Sequence, residues 1–172
     1  MDLKVTVLVL QKELHYLDKL HRKMKSILKL KNLKWDMYSM KNNVAIVTAN
    51  YYENITNELL DGVKNNLDKN FDTTTYLVDG AWEIIYKIND LSINKSIDKF
   101  VAIGVIVKGE TDHYEYISKG VVDGLINLTI KNNIYIANCV LNVLNIDQAI
   151  ARTKGDKNKG IEAASALNNL FV

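Results

Sequence analysis

The run Lys108-Gly109-Glu110-Thr111-Asp112-His113 holds the parts of a small-anion site. Gly109 lets the backbone approach a ligand closely, and Glu110 and Thr111 open a helix whose first amide N–H groups have no partner within it. Such a helix start attracts phosphate through its free amides and its partial positive charge. Thr111 can add a hydroxyl donor to an anion or act as the helix N-cap, and spacing alone leaves both roles open. His113 stands about half a turn further in and is the one histidine beyond the first 42 residues. A lone histidine serves either as a structural residue or as a proton carrier, and imidazole titrates where proton transfer near neutrality needs it. Together these residues suit proton transfer on a small phosphorylated substrate.

Other residue types point to the same chemistry less sharply. Tyr51, Tyr52 and Trp82 supply rings on which a planar heterocycle can stack, although aromatics at strand ends also serve as core. Glu83 opens a helix, where its carboxylate either complements the dipole or accepts hydrogen bonds from ligand hydroxyls. Arg152, Lys157 and Lys159 crowd a loop that either meets a phosphate or is simply solvated. No Ser/His/Asp arrangement, dinucleotide fingerprint, phosphate-loop motif or Cys/His metal spacing is present. The lone Cys139 is expected in the core of a protein from a reducing compartment.

Short apolar runs alternating with amphipathic segments must position these residues. Val44 to Ala49, Thr73 to Val78, Phe100 to Val107 and Ile134 to Val140 read as strands. The third is almost uninterruptedly apolar, as in a strand covered on both faces. Ile55, Leu59, Leu60, Val63 and Leu67 mark one helix face; Ala81 to Ile93 is a second helix, and Ile117, Val121, Val122, Leu125, Leu128 and Thr129 mark a third. Ile146 to Arg152 and Asn158 to Leu170 complete the set. The alternation predicts an α/β three-layer sandwich on a four-stranded parallel, flavodoxin-like sheet. Ligands of such a sheet gather beyond the carboxyl ends of its strands. Four loops are therefore expected there: Asn50 to Asn54, Asp79 to Glu83, Lys108 to His113 and Cys139 to Asn145.

The chain of 172 residues carries a net charge of +2, unevenly spread. Residues 1–42 hold ten Lys/Arg against four Asp/Glu, and the remainder twelve against sixteen. Leu14, Leu17, Leu20, Met24, Ile27, Leu28 and Leu30, set among lysines, predict an amphipathic helix in this basic arm, with residues 43–172 as the main domain. The arm packs on its own domain or a neighbouring subunit, or contacts a membrane surface or RNA; no DNA partner is expected. No apolar run reaches the length of a membrane span, and a cytoplasmic location is expected.

From Val44 to the C-terminus, roughly three quarters of the chain, the sequence resembles lumazine synthases. The likeness rests on Gly104-Val-Ile-Val-Lys-Gly-Glu-Thr-Asp-His-Tyr114, Gly80-Ala-Trp-Glu83, and Asp147-Gln-Ala-Ile-Ala-Arg152 followed by Asn158-Lys-Gly-Ile-Glu-Ala-Ala164. It implies condensation of 5-amino-6-ribitylamino-uracil with 3,4-dihydroxy-2-butanone 4-phosphate, a transferase step of riboflavin biosynthesis that needs no metal and no organic cofactor. By the same resemblance His113 carries protons, and Glu110, Thr111 and Arg152 bind phosphate. Tyr51, Ala81, Trp82, Glu83, Val105, Ile106, Val107, Asn138 and Lys159 bind substrate, Tyr51 by stacking. Arg152 and Lys159 would reach in from the adjacent subunit of a pentamer. The short loop Thr153 to Lys157 points to the icosahedral shell of twelve pentamers. Asp79, Tyr52 and Asn138 depart from the family's usual proline, asparagine and aromatic residue. They raise the alternative of a non-enzymatic flavin- or lumazine-binding shell protein of the same fold.

Overall fold

The computed structural model describes residues 19–27, 29 and 42–172, and the chain divides into two compact units, Met1–Lys41 and Asn42–Val172. In the first, residues 19–27 are helical, with Leu20, Met24 and Ile27 exposed. Leu14, Leu17, Leu28 and Leu30 of the expected amphipathic pattern lie outside the described residues. No helix among the described residues is long and apolar enough to cross a membrane.

The second unit runs β1 (Asn43–Ala49), α1 (Glu53–Asn66), β2 (Asp72–Val78), α2 (Glu83–Asn94), β3 (Lys99–Val107) and α3 (His113–Asn132). It continues with β4 (Tyr135–Val143), α4 (Ile146–Ala151), a 3-10 turn (Gly155–Lys157) and α5 (Lys159–Phe171). The strands are all parallel in the order β2-β1-β3-β4, the expected flavodoxin-like sheet. Side chains alternate across it. Val44, Ile46, Val101, Ile103, Val105 and Cys139 face α1, α4 and α5. Ala45, Val47, Phe100, Ala102, Ile106 and Val140 face α2 and α3. Helix faces of matching period close each layer: Ile55, Leu59 and Val63 on α1, and Ile84, Ile88 and Leu91 on α2. Each such buried side chain contributes about 2 kcal/mol of hydrophobic stabilisation. Burial, with Glu162 adding to it, pushes the Cys139 thiol up to about 12, so it packs as an inert core residue.

Three boundaries differ from expectation. β4 continues to Val143 because its pairing with β3 runs on to Val107↔Val143, so Cys139 to Val143 are strand and not ligand loop. α2 starts at Glu83, and Ala81 and Trp82 form the turn before it. α3 starts at His113: the Asp112 carbonyl accepts the N–H groups of Glu115 and Tyr116, and the Thr111 hydroxyl accepts that of His113 at 3.4 Å. The first helical turn therefore closes on Asp112. Glu110 and Thr111 sit in the bend ahead of it, and Asp112, not Thr111, is the N-cap residue.

α1 and α5 are in unusually close approach. A β-carbon on Gly160 would lie 2.0 Å from the Leu59 carbonyl oxygen, and one on Gly62 would lie 2.5 Å from Asn158 Oδ1. Asn158 uses that space: Nδ2 donates to the carbonyls of Glu58 at 3.1 Å and Thr153 at 2.9 Å, while Oδ1 caps α5 by accepting the Gly160 N–H. Glu58 adds a second tie. Its two carboxylate oxygens accept from Lys154 Nζ at 2.6 and 2.7 Å, and one also accepts from the Thr153 hydroxyl. The Lys154 and Thr153 hydrogen bonds hold the Glu58 carboxyl below its ordinary range.

Substituting Gly160→Ala would force α5 off α1 and lower unfolding free energy by about 3 kcal/mol in urea titration followed by tryptophan fluorescence. A lowered carboxylate pKa stabilises the fold above its unfolded value and ceases to do so as pH falls through the folded one. Glu58→Gln is therefore expected to unfold at lower temperature than wild type at pH 7, with the difference closing as acid takes the pH below the ordinary carboxylate range.

Candidate active site

The strand ends come together as the topology requires. Beyond β1 the Asn50 N–H donates to the Val78 carbonyl at 2.8 Å, and beyond β3 the Lys108 N–H donates to the Val143 carbonyl at 2.9 Å. These bonds align the loops that follow each strand along one edge of the sheet.

The β3–α3 turn emerges from the most buried strand, and its residues Glu110, Thr111 and His113 are all exposed. Among the described residues no hydrogen bond engages the amide N–H groups of Gly109, Glu110 or Thr111. A Gly109 β-carbon would meet nothing within 4 Å, so the space beside the turn is open. Lys108 reaches across its base: Nζ pairs with Glu115 Oε1 at 3.1 Å and lies 6.0 Å from the centre of the Tyr114 ring. This strap joins the last residue before the turn to the first helical turn after it. Val105 and Ile106 are buried with their side chains in opposite core layers, and Val107 is half-buried. Only the backbone of the first two faces the strand end.

The aromatic residues separate into two places. Tyr51 is 77% exposed and stands edge-to-face with half-buried Tyr52, ring centres 4.9 Å apart. Both line a groove of about 640 Å³ with Glu58, Ile146, Ile150 and Thr153. Trp82 instead lies against α3, where a β-carbon on Gly120 would come within 2.9 Å of its ring. It lines a second groove, of about 470 Å³, with Glu83, Tyr86 and Leu128. Ala81 is half-buried in the turn, and a Glu83 carboxylate oxygen lies 3.0 Å from where a Gly80 β-carbon would be, over the strand end.

Arg152 and Lys159 occupy the other helix layer. The Arg152 carbonyl accepts the Lys159 N–H at 2.9 Å, so the two are fixed together; Arg152 Nη1 donates to the Gln148 carbonyl at 2.7 Å, and Lys159 pairs with Glu162. No hydrogen bond or ion pair among the described residues links either cation to Glu110, Thr111 or His113. Asn138, exposed on edge strand β4, turns its Oδ1 back to accept the Val140 N–H at 3.0 Å. Glu58, Thr153 and Asn158 carry the loop that holds Arg152, and the sequence reading missed them. Their partners lie about a hundred residues away, beyond the reach of any local pattern. Among the described residues no group of three or more His, Cys, Asp or Glu side chains is placed to hold a metal ion.

What one chain offers is thus an exposed imidazole beside open backbone donors, with stacking surfaces on either side. The sequence model of the 6,7-dimethyl-8-ribityllumazine synthase family matches residues 41–171. The 6,7-dimethyl-8-ribityllumazine synthase of Limosilactobacillus reuteri is 37% identical over 134 residues, 75% of this chain and 88% of that protein. Those of Sphingopyxis alaskensis and Bartonella tribocorum are 39% and 41% identical, over 72% and 73% of this chain and 89% and 85% of their own lengths. A parallel four-stranded sheet whose edge carries these residues, matched along nearly the full length of such relatives, places the chain in the 6,7-dimethyl-8-ribityllumazine synthase family.

Proposed function

We propose that the protein condenses 5-amino-6-ribitylamino-uracil with 3,4-dihydroxy-2-butanone 4-phosphate to give 6,7-dimethyl-8-ribityllumazine in riboflavin biosynthesis. The observation that carries this reading is the β3–α3 turn, whose unengaged amides at Gly109, Glu110 and Thr111 lie immediately before the exposed His113. In the proposed reaction the pyrimidine amine adds to the ketone and loses water to form an imine. Removal of the proton on the hydroxyl-bearing carbon then expels inorganic phosphate from the next carbon. The enol left behind tautomerises to a new carbonyl with a terminal methyl group, and attack of the ribitylamino nitrogen on that carbonyl closes the ring with loss of water. His113 carries the proton that phosphate loss requires. The turn amides and the Thr111 hydroxyl hold the phosphate, and Tyr51 stacks on the pyrimidine. Ala81, Trp82 and Glu83 hold the ribityl-pyrimidine, Glu83 accepting from its hydroxyls, beside the backbone of Val105 to Val107. Such chemistry asks for positioning and proton transfer, without a strong nucleophile.

The same turn supports a multi-subunit site. Glu110 and Asp112 bring two carboxylates beside the proposed phosphate, and Lys108 is already paired with Glu115. A bound dianion needs further cations, and Arg152 and Lys159 of the same chain lie in the opposite helix layer. A second copy would supply them. In keeping with this, α3 leaves the neighbouring Ile126 and Ile130, one turn apart, exposed. What the resemblance implies, a cytoplasmic pentamer assembled further into a shell, is the assembly we propose, with residues 1–42 as a basic arm preceding a domain of residues 43–172. Retention on RNA or membranes that is unchanged after deletion of residues 1–42 would dismiss contact of the arm with either.

Asp79, Tyr52 and Asn138, which depart from the family's proline, asparagine and aromatic residue, favour a second reading, flavin or lumazine binding without turnover.

Mixing the protein with both substrates is expected to raise lumazine absorbance faster than the uncatalysed reaction, and His113→Ala to lower kcat by about a hundredfold. No rate above background, with calorimetric binding of riboflavin retained, would select the second reading. Asn138→Phe is expected to tighten lumazine binding about fivefold by restoring a stacking face, while lowering the melting temperature because the Val140 N–H loses its acceptor.

A further inference from the structure

We infer that Glu58, on α1, is a positioning residue for phosphate: through Thr153 and Lys154 it holds the loop that presents Arg152 and Lys159. The inference rests on the assignment of Arg152 to phosphate made above. Arg152 is the residue that ends α4, and its neighbour Thr153 is 5% exposed although it lies in a loop. The Thr153 hydroxyl has one proton and two acceptors in reach, the Glu58 carboxylate and the Ile150 carbonyl at 2.9 Å. An ionised carboxylate is the stronger acceptor, so the proton goes across to α1. Lys154 Nζ then spans both oxygens of the same carboxylate at 2.6 and 2.7 Å. Behind them Asn158 joins the carbonyls of Glu58 and Thr153 and starts α5 immediately before Lys159. Arg152 is thus held from its carboxyl side by Thr153 and through its own carbonyl by Lys159. Without the Glu58 charge, the hydroxyl falls back on Ile150 within α4, Lys154 is released, and only Asn158 still ties the loop to α1. The arginine then has to be ordered by the anion itself, which weakens affinity without touching the proton carrier.

The test uses the full chain and inorganic phosphate as probe, measured by calorimetry and as a competitor in turnover. Glu58→Gln and Lys154→Met, the latter a substitution at a mostly exposed lysine that leaves the core untouched, are each expected to weaken phosphate binding about fivefold. Both should raise KM for the butanone phosphate alike and leave kcat within about twofold, the pattern of lost ground-state binding. The double variant carrying Glu58→Lys and Lys154→Glu should recover the part of the loss due to the ion pair but not the part due to Thr153, whose hydroxyl finds no acceptor in a lysine at position 58; a general loss of stability would permit no recovery. Unchanged phosphate affinity in both single variants, or a wild type that binds no phosphate, overturns the proposal. A wild type that forms no lumazine yet binds phosphate more tightly than the variants overturns the assigned reaction and leaves the clamp standing.

Discussion

The rest of the structure depends on the burial of β3. Eight of its nine residues, Lys99 to Ile106, are buried, and it pairs on both sides, with β1 from Lys99 to Ile103 and with β4 along its whole length. A strand covered this way has no polar face to turn to solvent, so both sheet faces must be roofed by helices, and only the crossover connections of a parallel sheet deliver them. The polar ends of the strand are handled differently. At its start Lys99 is buried, with its ammonium paired to Asp98 and 5.0 Å from the centre of the Phe171 ring. That end is closed by the C-terminal helix. The other end opens into an exposed turn with unengaged amides, so the sheet edge proposed for the chemistry is the one the packing leaves uncovered.

Electrostatics decides how much of a site one chain can hold. Free amides and a helix start favour an anion by a fraction of a charge, which two neighbouring carboxylates offset. The chain keeps its two candidate cations on the α4–α5 side of the sheet, held by local bonds to Gln148 and Glu162 that a stronger anion can displace. Surface ion pairs of this kind are weak enough to exchange. The division of charge between the two helix layers is the physical argument for the proposed pocket between subunits.

Much of this was legible in the residues. Continuous apolar character announced β3 as a central strand, and the period of Ile55, Leu59 and Val63 announced α1. The place of the Lys108–His113 turn was legible because a glycine and a polar run follow the apolar strand, although Thr111 and His113 each kept a second, structural use. Local boundaries were not, because they depend on competition between nearby hydrogen bonds: the Thr111 hydroxyl and the Asp112 carbonyl together move the helix start to His113. The direction of Trp82 was hidden for a different reason. It is set by the missing side chain of Gly120 on another helix, which leaves a slot where the indole fits. The separation of Trp82 from the Tyr51–Tyr52 pair follows from that slot.

The spacing of Arg152 and Lys159 has a cause of the same kind. Asn158 can bridge the carbonyls of Glu58 and Thr153 only if α5 comes close enough to α1 for its amide to reach across. That approach requires the absence of two β-carbons, at Gly62 and Gly160, from helices far apart in sequence. With either present, the loop could still pair Glu58 with Lys154, since a lysine side chain is long and adaptable. It could not keep the short bond from the Lys159 N–H to the Arg152 carbonyl while Asn158 held its own three partners. The spacing of the Arg152 and Lys159 backbones is thus set by helix contact, while their charged ends are held by Gln148 and Glu162 until a stronger anion draws them away.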